Sequence, residues 1–160
     1  MMVRSDEAAS ANKYLLDHNV LCLATSFNDK PWVSPVFYTV HSGQLIFLSA
    51  PHTRHCKNIK SNSAVSASVQ DDYENWEDIK GIQLSGVATL VTDTEPVIAA
   101  YSNKFPVTGN DAPPQIARAL DKIDWYAITI DTLYFIDNSQ GLGHRVELEP
   151  SVVVQDSHIP

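Results

Sequence analysis

Leu45-Ile46-Phe47-Leu48-Ser49-Ala50-Pro51-His52-Thr53-Arg54-His55-Cys56-Lys57-Asn58-Ile59 begins as a buried strand and ends as a short basic helix. Pro51 stops the strand, and Thr53 is placed to cap the helix that follows. A hydroxyl, a guanidinium and free backbone amides then meet at a helix N-terminus, a corner that attracts a phosphate. The charge pattern points the same way. The chain carries 19 Asp and Glu against 11 Lys and Arg, yet no carboxylate lies between Asp29 and Asp71. Arg54, Lys57, Lys60, His41, His52 and His55 all fall inside that gap. The alternative reading of the stretch is a solvated helix with a capping threonine.

Outward from this stretch, the spacing predicts a mainly β chain. Ser5 to His18 reads as a helix capped by Ser5, with Asp6 and Glu7 in its first turn. Val20 to Ser26 reads as a strand, and Asn28-Asp29-Lys30 as a turn into a second strand, Trp32 to Val40. Pro35 interrupts that second strand, since proline cannot donate to a ladder. It marks an edge, a bulge, or a place where something other than a strand lies alongside. His41-Ser42-Gly43-Gln44 turns into the strand Leu45 to Ser49, so two successive hairpins predict an antiparallel meander.

Beyond the basic helix, Ala64 to Val69 alternates as a half-buried strand. An acidic loop holding Tyr73 and Trp76 leads into a long strand, Ile79 to Thr92, where Gly81 and Gly86 mark bends or close approach. A helix capped by Asp93 or Thr94 runs to about Asn103. A proline-rich loop and a short helix, Gln115 to Leu120, follow. Trp125 to Ile130 and Leu133 to Asp137 read as two strands separated by Asp131-Thr132, and Arg145 to Glu149 as a last short one. About six to eight strands with short helices in the connections predict a mainly β fold, an antiparallel barrel with helical decoration, not an alternating βαβ fold.

Composition bounds the function. The 160 residues predict a single domain over 1–150, with a loosely held tail over 151–160. A net charge of −8 argues against nucleic acid or an anionic membrane as the main partner. The two cysteines form no CxxC, and no apolar run is long enough to span a bilayer, so a reducing, cytoplasmic setting is expected. His52, His55 and Cys56 lack a neighbouring carboxylate or second cysteine to complete a zinc set, and no metal is expected. Neither GxGxxG nor GxxxxGK[ST] occurs.

Taken in order, Leu23-Ala24-Thr25-Ser26, Pro31-Trp32-Val33-Ser34-Pro35-Val36-Phe37-Tyr38, Leu45 to Ser49, Thr53 to Ile59 and Gly81-Ile82-Gln83-Leu84-Ser85-Gly86 resemble the FMN-binding split barrel of the pyridoxamine 5′-phosphate oxidase-like superfamily. The resemblance spans about residues 8 to 137. A closer likeness is to a branch of small bacterial proteins without assigned function. It rests on Thr53-Arg54-His55, Gly81-Ile82-Gln83, Tyr101 with Phe105-Pro106-Val107, and Phe135-Ile136-Asp137-Asn138 followed by Gly141-Leu142-Gly143.

The resemblance implies a homodimer holding FMN between its subunits, and an oxidoreductase with its substrate unassigned. It places the phosphate on Ser49, Thr53 and Arg54, with His55 ordering the helix or approaching the phosphate. The ring lies along the second strand near Val36 and Phe37, Gln83 meets its pyrimidine end, and Trp76, Trp125 or Tyr126 covers it from the other subunit. Three alternatives stay open: haem or a deazaflavin in the same fold, a sensor without turnover, and a dimeric scaffold with an empty groove. The oxidases' C-terminal Arg-x-His is not matched by Gly143-His144-Arg145, so their substrate does not carry over.

Overall fold

The computed structural model describes residues 2–154. Helix α1 (Met2–Asp17) precedes a hairpin of β1 (Val20–Phe27) and β2 (Lys30–Phe37), then a second hairpin of β3 (Thr39–His41) and β4 (Gln44–Ser49). Helix α2 (Arg54–Ser61) leads to β5 (Ala64–Gln70) and β6 (Lys80–Leu90). Helices α3 (Glu95–Lys104) and α4 (Pro114–Ala119) precede β7 (Asp124–Asp137) and β8 (Arg145–Leu148). The strands form one antiparallel sheet in the order β2-β1-β5-β6-β7-β4-β3, with β8 on β7. It curls into a half-barrel, the expected split-barrel architecture.

The concave face follows from strand alternation. Leu21, Leu23, Val65, Ala67, Val69, Ile82, Leu84, Ile128 and Ile130 point inward with Leu45 and Phe47, and α1 closes over them with Ala11 and Leu15. A second cluster lies under α3 on the other face of β4 and β7, built from Ile46, Val97, Tyr101, Val107, Trp125 and Ala127.

Three expectations about the strands are corrected. Trp32 to Val40 is not one strand. Tyr38 is fully buried, its amide bonds to the Asn19 carbonyl at 3.0 Å, and its hydroxyl donates to the Leu15 carbonyl at 2.5 Å. That anchor moves the chain from one sheet edge to the other, so the two hairpins do not form a meander. Pro35 does lie on an edge strand, as its missing donor demanded. Asp131-Thr132 is not a turn between strands, because β7 runs unbroken through a bulge opposite Ser85/Gly86. Gly86 permits this: a Cβ there would sit 2.1 Å from the Thr129 carbonyl oxygen.

The ends of the chain also differ from expectation. Helix α1 starts at Met2, which puts Ser5 inside the helix and not at its cap. The chain does not loosen at 151. Pro150–Val152 forms a 3-10 turn, Val153 is buried in the main core, and the Val154 amide donates to Asn12 Oδ1 at 3.0 Å. Burying one valine and pairing one amide is enough to dock that segment. The rest of the expected tail, 155–160, lies outside the described residues.

Candidate phosphate-binding corner

Strand β4 ends at Ser49, and α2 starts five residues later. This brings the Ser49, Thr53 and His55 side chains together. His55 Nε2 lies 2.7 Å from Ser49 Oγ and 3.3 Å from Thr53 Oγ1. Thr53 occupies the N-cap position with extended dihedrals, yet its hydroxyl does not cap the helix. It donates instead to the Ala50 carbonyl at 2.9 Å, closing the turn over Pro51. The first-turn amides of α2 are therefore left without that side-chain acceptor, and the first turn holds no acidic residue.

Arg54 turns the other way. Its guanidinium carbon lies 4.4 Å from the centroid of Trp32, and among the described residues it makes no ion pair. The helix is registered on the sheet by Asn58, whose Nδ2 donates to the buried Thr25 Oγ1 at 3.0 Å. Thr25 pairs directly with Trp32 across the β1–β2 ladder.

Cys56 is 3% exposed and belongs to the main apolar core, yet polar groups reach its thiol. Burial pushes its thiol up. Hydrogen bonds with His55, Thr53, Tyr126 and Ser49 outweigh burial and bring it down to about 7. The Tyr126 hydroxyl is pushed up by burial and by Cys56, so the thiol is the acid of the pair. Beside them opens a cleft of about 490 Å³, lined by Lys57, Lys60, Leu90, Asp124 and Tyr126.

Of the ten residues expected at the site, one chain brings Ser49, Thr53, Arg54 and His55 to this corner, with Tyr126 bonded to Cys56 beside it. Val36 and Phe37 point to opposite faces of β2, as successive residues of a strand must. Val36 packs on the main core, and Phe37 is 55% exposed with its ring 5.1 Å from Phe105. Trp125 is corrected from a ring cover to a core residue. It is 4% exposed and meets Tyr101 edge-on at 5.2 Å, because α3 covers the face of β7 on which it falls.

Gln83 and Trp76 lie elsewhere. Gln83 is exposed and accepts from Arg145 Nη1 at 3.4 Å. It is seven residues along β6 from Leu90 of the cleft, about 23 Å at strand rise. Trp76 is 75% exposed in a 3-10 turn, its carbonyl held by Asn138 Nδ2 at 2.8 Å. The reading of the sequence missed Trp32 as Arg54's neighbour and Cys56 as a polar-bonded thiol. It weighed Tyr126 only as a ring cover. No local signal marks the first pairing, since it spans 22 positions.

The profile of the pyridoxamine 5′-phosphate oxidase family matches residues 8–137. A UPF0306 protein of Photorhabdus laumondii is 27% identical over 139 residues, covering 84% of this chain and 90% of the relative. Two solved structures share the fold. A conserved hypothetical protein of Mycobacterium tuberculosis has a TM-score of 0.69 at 18% identity, covering 85% of this chain and 88% of its own. HutZ, described as a haem storage protein of Vibrio cholerae, has a TM-score of 0.65 at 20% identity, covering 78% and 91%. With most of its length matched by that profile and its strands in that half-barrel, the chain belongs to the pyridoxamine 5′-phosphate oxidase family.

Proposed function

We propose that this protein binds FMN, with the phosphate at the α2 corner, and acts as an FMN-dependent oxidoreductase. One observation carries the reading: Arg54 stands without a carboxylate partner among the described residues, at the first turn of a helix free of acids, next to two hydroxyls. A dianionic phosphate supplies the acceptors that such a corner lacks. Ser49 and Thr53 offer hydroxyls, the α2 amides offer N–H groups, and Arg54 offers a planar fork.

The ring finds its place along β2. That strand is a sheet edge, so its outward backbone groups have no partner strand and can bond to a flavin edge. Apolar Val33 and Phe37 project from one face of it, 58% and 55% exposed. Such a patch on an edge strand supports a second copy of the chain closing the groove. Bound flavin would supply hydride or electron acceptance, while these residues bind, orient and exclude water. No side-chain acid or base is assigned to the reaction.

Absorption and mass of the released ligand test the reading, after purification and after addition of FMN. Flavin bands near about 450 nm, with a raised melting temperature, are expected. A Soret band near about 410 nm would favour haem, the ligand named for HutZ. Bands and melting temperature unmoved by FMN, with no ligand released, would overturn the proposal.

A further inference from the structure

We infer that Trp32 is a positioning residue for phosphate capture, its indole face holding the Arg54 guanidinium at the α2 corner with its N–H fork left free. The inference rests on the corner being a phosphate site, and it names the residue that sets the state of its main cation.

The placement is built in by the sheet. Trp32 pairs with Thr25 in the β1–β2 ladder, and Thr25 Oγ1 receives the Asn58 side chain of α2. Arg54 and Asn58 are one helical turn apart, on the same side of α2. The bond that registers the helix on β1 therefore also sets Arg54 over the residue paired with Thr25. Trp32 falls on the inner side of β2 with Ser34 and Val36, and is 40% exposed.

The choice of an aromatic partner has a chemical consequence. A carboxylate would take two N–H groups of the fork and cancel the charge. An indole face attracts the cation through its quadrupole and accepts nothing at the guanidinium's edge. All five donors stay available to an oxyanion, and the side chain has already given up part of the rotamer freedom that binding would remove. Lysine in place of Arg54 would keep the charge and lose both the stack and the fork.

The test measures FMN and riboflavin affinity side by side, since riboflavin lacks the phosphate. Arg54→Ala should weaken FMN tenfold or more and leave riboflavin unchanged. Trp32→Leu should weaken FMN by about 3- to 5-fold, again sparing riboflavin. Trp32→Phe should return FMN affinity to within about 2-fold of the parent, and Trp32→Leu should add nothing in the Arg54→Ala background. Equal loss of FMN and riboflavin in Trp32→Leu, or unchanged FMN affinity with Arg54→Ala still weakened, would overturn the role of Trp32 alone. No effect of Arg54→Ala on FMN would overturn the phosphate site and this inference together. Thermal melts of each variant separate lost affinity from lost fold.

Discussion

The two ends of the β6–β7 ladder treat charge in opposite ways. At the α2 end, Arg54 rests on an aromatic face and no acid occupies the helix's first turn. At the other end, the acids are paired within the chain. Glu7 of α1 meets His144 at 2.9 Å, His18 meets Asp71 at 3.0 Å, and Lys80 meets Asp137 at 3.3 Å. The Tyr14 hydroxyl adds bonds to the Tyr73 hydroxyl at 3.0 Å and the Lys80 carbonyl at 3.1 Å. These paired side chains hold α1, the loop before β6 and the turn after β7 together. A cation held only by an aromatic face adds little to the fold until a ligand arrives. The contrast separates groups kept for the fold from groups kept for binding.

The most severe way to break that contrast is to plant an acid where none occurs. Arg54→Glu should cost about 100-fold or more in FMN affinity, read by fluorescence titration, and leave urea stability within about 0.5 kcal/mol. A large stability loss would mean that Arg54 serves the fold after all.

Cys56 sharpens the picture of the corner. Alkylation by a small thiol reagent should rise with pH through about 7, well below the 9 of an unperturbed thiol. Tyr126→Phe removes one of the bonds to the thiolate and should move the midpoint upward. Because the folded thiol is the stronger acid, its contribution to stability grows as pH rises from about 7 towards 9. It is lost as pH falls through 7. A midpoint above 9 would show that burial, not bonding, governs the group.

The opposite end should answer in stability and not in binding. Burial raises the Asp137 carboxyl, but the Ser139 hydroxyl and amide and the Lys80 ammonium outweigh it and hold the group below 3.8. Its contribution is present at neutral pH and fades as pH drops below that value. Asp137→Asn should cost about 1–2 kcal/mol in urea unfolding at pH 7, flatten the acid limb, and leave FMN affinity intact. The partly buried Glu7–His144 pair is the smallest test: Glu7→Gln should cost about 0.5–1 kcal/mol with no effect on the corner. Weakened FMN binding in either variant would show that the two ends are coupled.

Much of this was legible in the chain. The α2 corner could be read because its parts are consecutive: a strand end, a proline, and a basic helix in a carboxylate-free gap. Gly86 could be read as a close approach because glycine in an alternating strand has few other uses. Trp125 could not be assigned, since the alternation of β7 is apolar on both sides and only α3 decides which side is covered. The parting of β2 from β3 was equally hidden, because Tyr38 looks like one more strand residue until its hydroxyl finds the Leu15 carbonyl.

Sequence alone determined the strand-rich class, the family and the cationic corner, since each depends on neighbours within a few residues or on composition over a window. Tertiary structure alone decided that Trp32 lies under Arg54, that the Cys56 thiol reaches Tyr126, and that Gln83 and Trp76 sit far from both. Those are contacts between segments tens of residues apart. They are set by ladder register and by the curl of one sheet, which no local pattern encodes.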